Sequence, residues 1–253
     1  MLARRVIPCL DIRNGRIVKG VRFQELRDAG DPVERAEIYA QQGADEIVIL
    51  DVSATPEGRG AALDTVNQVR SVLPIPLTVG GGVRTLDDAL RLLDAGADKV
   101  AVNSAAVERP ELIGELAART GRQCVVLAID GTRSAQRPGQ WKVVTRSGTN
   151  RTELDAKKWA TQGVKLGAGE ILLTSLDEDG VGGGYDLDLL RAVSRVVEVP
   201  VIASGGASTA AHMADALFAG AEAVLAASIF HDGVSTVESI KRELSALGQE
   251  VRL

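Results

Sequence analysis

Polarity along the chain alternates between short apolar runs and longer stretches in which apolar residues return every three or four positions. The short runs predict eight strands, near residues 6–10, 46–51, 77–79, 99–102, 125–129, 171–174, 201–203 and 223–225. The intervening periodicity predicts helices near 32–42, 63–72, 86–95, 110–119, 154–166, 187–196, 210–219 and 234–247. Strands joined by helical crossovers run parallel and bury both faces, so this alternation predicts a (β/α)8 barrel. An open doubly wound sheet is the other arrangement compatible with it.

Two stretches organise the pattern. LTVGGGVRT (77–85) runs an apolar strand into three glycines and then into a helix with Thr85 at its expected N-cap. Gly80, Gly81 and Gly82 have no Cβ, so their N–H groups can crowd around an anion beside the positive end of that helix. VIASGGAST (201–209) repeats the design, with Gly205 matching Gly81 at a separation of 205 − 81 = 124. AGADKVAVNSAAV (95–107) against AGAEAVLAASIFH (219–231), and GADEIVIL (43–50) against GAGEILLT (167–174), keep the same separation. The chain therefore reads as two half-barrels, roughly 1–124 and 125–253, within one domain spanning 1–253. Paired cradles imply one ligand carrying two phosphates.

Composition narrows the function class. The 253 residues suit one barrel, and 45 % apolar content is ample for its core. A net charge of −5 and 3 % aromatic residues offer neither a basic face nor stacking platforms, so no nucleic-acid partner is expected. No apolar run reaches the ~18 residues of a membrane span, and MLARRVIPCLD is too short in apolar residues for a signal peptide. A cytoplasmic protein without a membrane partner is expected. Cys9 and Cys124 lie in apolar, strand-like runs and read as buried reduced thiols. His212 and His231 are too few and too far apart for a histidine metal site, and no metal or cofactor is expected.

In such a barrel the chemistry sits where strands end. Asp11 follows VIPCL and Asp130 follows VVLAI, on strands expected to face each other. A ligand between them would meet one carboxylate from each side, an arrangement for general acid and base work if burial raises at least one pKa. The alternative for either aspartate is a turn cap or a pair with a nearby lysine. Asp51, Asn103, Ser104, Thr174, Ser204, Ala227 and Ser228 stand at other strand ends, in places where helix capping and phosphate binding are compatible. Two long connections, 14–30 with Lys19 and 131–152 around Trp141, are candidate lids over a charged ligand. The acidic turn LDEDGVGGGYD (176–186) brings Asp179 and Gly180 to the mouth. At the other end, Arg5, Glu46, Lys99 and Glu170 begin strands and predict a ring of two positive and two negative charges, read from the residues alone as a salt-bridged plug.

These segments together resemble the cyclase subunit family of imidazole glycerol phosphate synthase, an enzyme of histidine biosynthesis. The resemblance rests on CLDIRNGRIVKG (9–20), GGGVRTLDDALRLLDAGADKVAVNSAAV (80–107), VVLAIDG (125–131), GAGEILLTSLDEDGVGGGYD (167–186) and ASGGAS (203–208). It implies a bisphosphorylated substrate, the phosphoribulosyl formimino derivative of aminoimidazole carboxamide ribotide. It also implies ammonia delivered through the barrel by a glutamine amidotransferase subunit in a heterodimer. On this resemblance Asp11 and Asp130 are the acid/base pair and Lys19 belongs to the mobile first loop. Arg5, Glu46, Lys99 and Glu170 become an ammonia gate, reversing the plug reading, and Asp98 lies near the partner interface. TRSGTNRTELDA (145–156) departs from the usual pattern of the family, and so does Asp232, where an aromatic residue is more usual. The rival readings are the sister isomerase barrel, which performs an Amadori rearrangement, and a phosphosugar-binding barrel without catalysis. CLDI and the charged ring favour the cyclase.

Overall fold

A computed structural model describes residues 3–21, 24–57 and 62–253. Its strands are β1 (Arg5–Arg13), β2 (Arg16–Val21), β3 (Gln24–Gly30), β4 (Ile47–Asp51), β5 (Leu77–Gly80), β6 (Lys99–Val102), β7 (Val125–Arg133), β8 (Trp141–Thr145), β9 (Asn150–Asp155), β10 (Glu170–Ser175), β11 (Val201–Ser204) and β12 (Ala223–Ala226). Eight of them pair in parallel around a closed circuit, β1–β4–β5–β6–β7–β10–β11–β12 and back to β1. The (β/α)8 barrel is thus the observed fold, and the open sheet is not.

Helices α1 (Pro32–Gln41), α2 (Ala54–Glu57), α3 (Leu63–Val72), α4 (Leu86–Asp94), α5 (Ser104–Glu108), α6 (Glu111–Thr120), α7 (Ala156–Leu166), α8 (Leu187–Ser194), α9 (Ala210–Phe218), α10 (Ser228–His231) and α11 (Val237–Ala246) fill the crossovers. The expected start at residue 234 of the last helix moves to Val237, because Thr236 accepts from the Ser239 N–H and caps it there. The seventh begins at Ala156, not 154, where Asp155 takes the Lys158 N–H. Neither long connection is a bare loop. The first folds as β2 and β3 and the second as β8 and β9, each continuing its barrel strand as an antiparallel hairpin. β1 and β7 consequently run to Arg13 and Arg133, so Asp11 and Asp130 lie within their strands rather than at the ends. Cys9 is buried as expected, but Cys124 closes a 3-10 turn (Arg122–Cys124) outside the strands and is only half-buried.

The period of two in a strand sorts the core into two shells. Val6, Leu10, Ile47 and Ile49 pack outward against helices, whereas Ile7, Cys9, Val48, Ala101, Val126, Leu172, Ile202 and Leu225 fill the barrel interior. Each fully buried aliphatic side chain of this kind contributes about 1.5–3 kcal/mol. The same parity fixes the ends of the barrel. Counting in twos, Arg5, Ile7, Cys9 and Asp11 form one inward row, Lys99, Ala101 and Asn103 a second, and Glu170, Leu172 and Thr174 a third. Each row starts at a charged residue below the core and finishes at a polar one above it.

Candidate active site at the upper mouth of the barrel

A cleft of about 600 Å³ opens where the parallel strands end. It is lined by Asp11, Asp51, Gly81, Gly82, Asn103, Ser104, Asp130, Thr174, Asp179, Gly180, Ser204, Gly205, Gly206, Ala227 and Ser228, which are the expected site residues save one. Lys19 stands on β2, but its side chain lies outside the described residues.

The two glycine turns share their backbone. Gly81 and Gly205 have φ of 94° and 90°, in the region that disfavours a side chain. A Cβ on Gly81 would fall 2.3 Å from the Asp51 carbonyl oxygen, and one on Gly206 would fall 2.1 Å from that of Gly184. The helix after each turn is capped by threonine: Thr85 accepts from the Asp88 N–H at 3.1 Å, and Thr209 from the His212 N–H at 3.2 Å. Asp88 returns the bond to the Thr85 N–H at 3.0 Å, completing a capping box. Both turns therefore sit beside a helix N-terminus, as an anion cradle requires.

The carboxylates differ in setting. Asp51 caps α2, its Oδ1 accepting from the Ser53 N–H, the Ser53 hydroxyl and the Ala54 N–H. Asp11 accepts a 3.4 Å bond from the Cys9 thiol. Asp130 accepts from Asn103 Nδ2 at 2.9 Å, while Asn103 Oδ1 is buried with no partner among the described residues. Asp130 is half-buried and lines the cleft. Burial of its carboxyl, followed by the negative charge of Asp179 and then of Asp11, pushes its pKa up to about 7 against the opposing bonds from Asn103 and Thr174. Asp130 is therefore partly protonated near neutral pH, where an ordinary carboxyl is fully ionised.

At the lower end the four expected charges meet. Glu46 Oε2 receives Arg5 and Lys99, each at 2.9 Å, and Glu170 receives Arg5 and, at 2.7 Å, Lys99. Both glutamates are buried. A bowl of about 470 Å³ below the ring is bounded also by Asp45, Lys241 and Arg252. Asp98 belongs to this end, pairing with Arg70 at 2.9 Å and accepting the Leu77 N–H at 2.8 Å. The sequence reading passed over Thr78, whose hydroxyl donates to Glu46 Oε1 at 2.5 Å. Its place in the inward row of β5, two residues before Gly80, was the available signal. Arg84 and Arg146, which also line the cleft, were overlooked because surface arginines carry no spacing of their own. His231 is buried and joins Tyr39 (2.6 Å to Nδ1) and the Cys9 carbonyl (2.9 Å to Nε2).

A closed (β/α)8 barrel whose mouth gathers two glycine turns beside helix N-termini and two carboxylates on its inward rows, Asp130 with a raised pKa, has the layout of a barrel enzyme's active site. The family follows from comparison. The chain belongs to the histidine biosynthesis protein family, whose model matches residues 5–236. It is 56 % identical over 246 residues to imidazole glycerol phosphate synthase subunit HisF of Corynebacterium urealyticum, covering 97 % of this chain and 96 % of that protein.

Proposed function

We propose that the chain is the cyclase subunit of imidazole glycerol phosphate synthase, acting in the cytoplasm with a glutaminase subunit that supplies ammonia. Its substrate is the phosphoribulosyl formimino derivative of aminoimidazole carboxamide ribotide, one phosphate in each glycine cradle. Ammonia adds at the ribulosyl carbonyl, whose oxygen leaves as water; the new nitrogen closes onto the formimino carbon, and the carbon–nitrogen bond to the departing aminoimidazole carboxamide ribotide breaks as that nitrogen takes a proton. Imidazole glycerol phosphate, that ribotide and water are the products.

The single observation that carries this reading is the pairing of Asp11 with an Asp130 whose pKa is raised to about 7 in the same cleft. Asp130 holds the proton that a leaving oxygen or nitrogen needs, and Asp11 is the base that removes one from the entering nitrogen. Thr174 and Asn103 keep the Asp130 carboxyl oriented. The ring of Arg5, Glu46, Lys99 and Glu170 closes the lower end of the barrel, three of its members bordering the bowl, and in this reading it is the gate for ammonia. Asp98 faces the docking side. Turnover of Asp11→Asn should fall about a hundredfold with substrate affinity near native; lost affinity with native turnover would remove the assigned role.

A further inference from the structure

Six carboxylates line the cleft among the described residues, namely Asp11, Asp51, Glu108, Asp130, Asp179 and Asp232, against two guanidiniums, Arg84 and Arg146. A phosphate dianion entering so acidic a space needs a positive partner, and among the described residues the cations are not evenly placed. Arg84 stands two residues after the last glycine of the first turn. The residue 124 positions on is Ser208, whose hydroxyl donates to the Gly182 carbonyl at 2.8 Å and meets His212 Nδ1 at 3.2 Å. Near the second turn lies Asp179, whose Cβ would be 3.5 Å from a Cβ built on Gly205.

Arg146 is brought to the first turn by the tip of the β8–β9 hairpin. Its N–H donates to Ser104 Oγ at 2.9 Å, and the neighbouring Ser147 hydroxyl donates to the Val52 carbonyl at 2.7 Å. Val52 follows Asp51, whose backbone abuts Gly81. The tip is thus tied on both sides of the first cradle. The ties hold an uncommon backbone: Arg146 and Ser147 have φ of 54° and 52°, a left-handed pair without glycine, and Thr149 Oγ1 donates to the Arg146 carbonyl at 2.7 Å. The guanidinium itself is more than half exposed and, among the described residues, has one weak partner, Glu108 at 3.3 Å, itself 64 % exposed. A solvated pair of this kind yields readily to a phosphate with two or three acceptor oxygens.

We propose that Arg146 is a ligand of the phosphate held in the first cradle, together with Gly81, Gly82 and Ser104, so that the two ends of the cleft bind by different means. The first uses a guanidinium, whereas the second, among the described residues, offers N–H groups and hydroxyls. This rests on the reading that the ligand carries a phosphate at each end, and it adds a specificity-determining residue to that site.

The test is calorimetric titration of the full chain with the bisphosphorylated formimino substrate, without ammonium so that no turnover occurs, followed by 31P NMR of the bound ligand. Arg146→Met should raise Kd about tenfold or more. It should displace one of the two phosphorus resonances and leave the other in place. Arg146→Gly, which suits the left-handed backbone and guards against misfolding, should do the same, and Arg146→Lys should recover part of the affinity. A Kd within about twofold of native in both variants, or equal displacement of both resonances, overturns the inference while leaving the two-phosphate reading intact. Failure of the native chain to bind the substrate at all overturns both.

Discussion

Replacing Asp130 by asparagine should stabilise the protein at alkaline pH while stopping its chemistry. Asparagine keeps the size of the side chain and can still accept from Asn103, but it has no charge to bury. The carboxyl has a pKa of 3.8 when unperturbed and about 7 in the fold. A folded pKa above the unfolded one means stability that is fully present below pH ~4 and is lost as pH rises to ~7. Three decades at about 1.4 kcal/mol each place the full cost near 4 kcal/mol above pH 8. Between pH 5 and pH 8 the native chain should therefore lose some 2–3 kcal/mol relative to Asp130→Asn. Urea unfolding of both proteins at several pH values measures that difference directly, provided the m-values agree. Parallel stability curves would mean that Asp130 titrates like a surface carboxyl, and its role as proton holder would fall.

Asp179→Asn removes the like charge that ranks second among the causes of the Asp130 shift. The Asp130 pKa should drop, moving the alkaline limb of the kcat profile to lower pH; an unmoved limb would separate the two aspartates. Thr78→Val takes the hydroxyl donor from a buried Glu46 oxygen, and calorimetry should find a loss of about 1–3 kcal/mol. Gly206→Ala forces a methyl against the Gly184 carbonyl at a φ of 99°, and KM should rise well before kcat falls. An unaltered KM would remove the second cradle.

Much of this was legible in the chain because parity and repetition are sequence properties. The inward rows through Asp11, Asn103 and Thr174 follow from counting in twos, and the paired glycine turns follow from the 124-residue separation. The hairpins were not legible: RIVKGV and WKVVT alternate as strands do, but long polar connections read first as loops, and their pairing depends on barrel strands that overrun the mouth. Cys124 adjoins the strand expected from residue 125, but the chain reaches that strand through a 3-10 turn that leaves the thiol half-buried, and nothing in the apolar pattern marks such a turn. The ring was visible as four charges. That each glutamate would be gripped by both cations, with Thr78 beside them, is a matter of three-dimensional closure.

The most direct test is to incubate the purified chain with the bisphosphorylated formimino substrate and to follow its absorbance with and without ammonium, alongside Asp11→Asn and Asp130→Asn. Consumption that requires ammonium, yields imidazole glycerol phosphate and is lost in both variants is the predicted result. No consumption, together with conversion of the aldose precursor into that substrate, would make the chain an isomerase and return the charged ring to a structural plug.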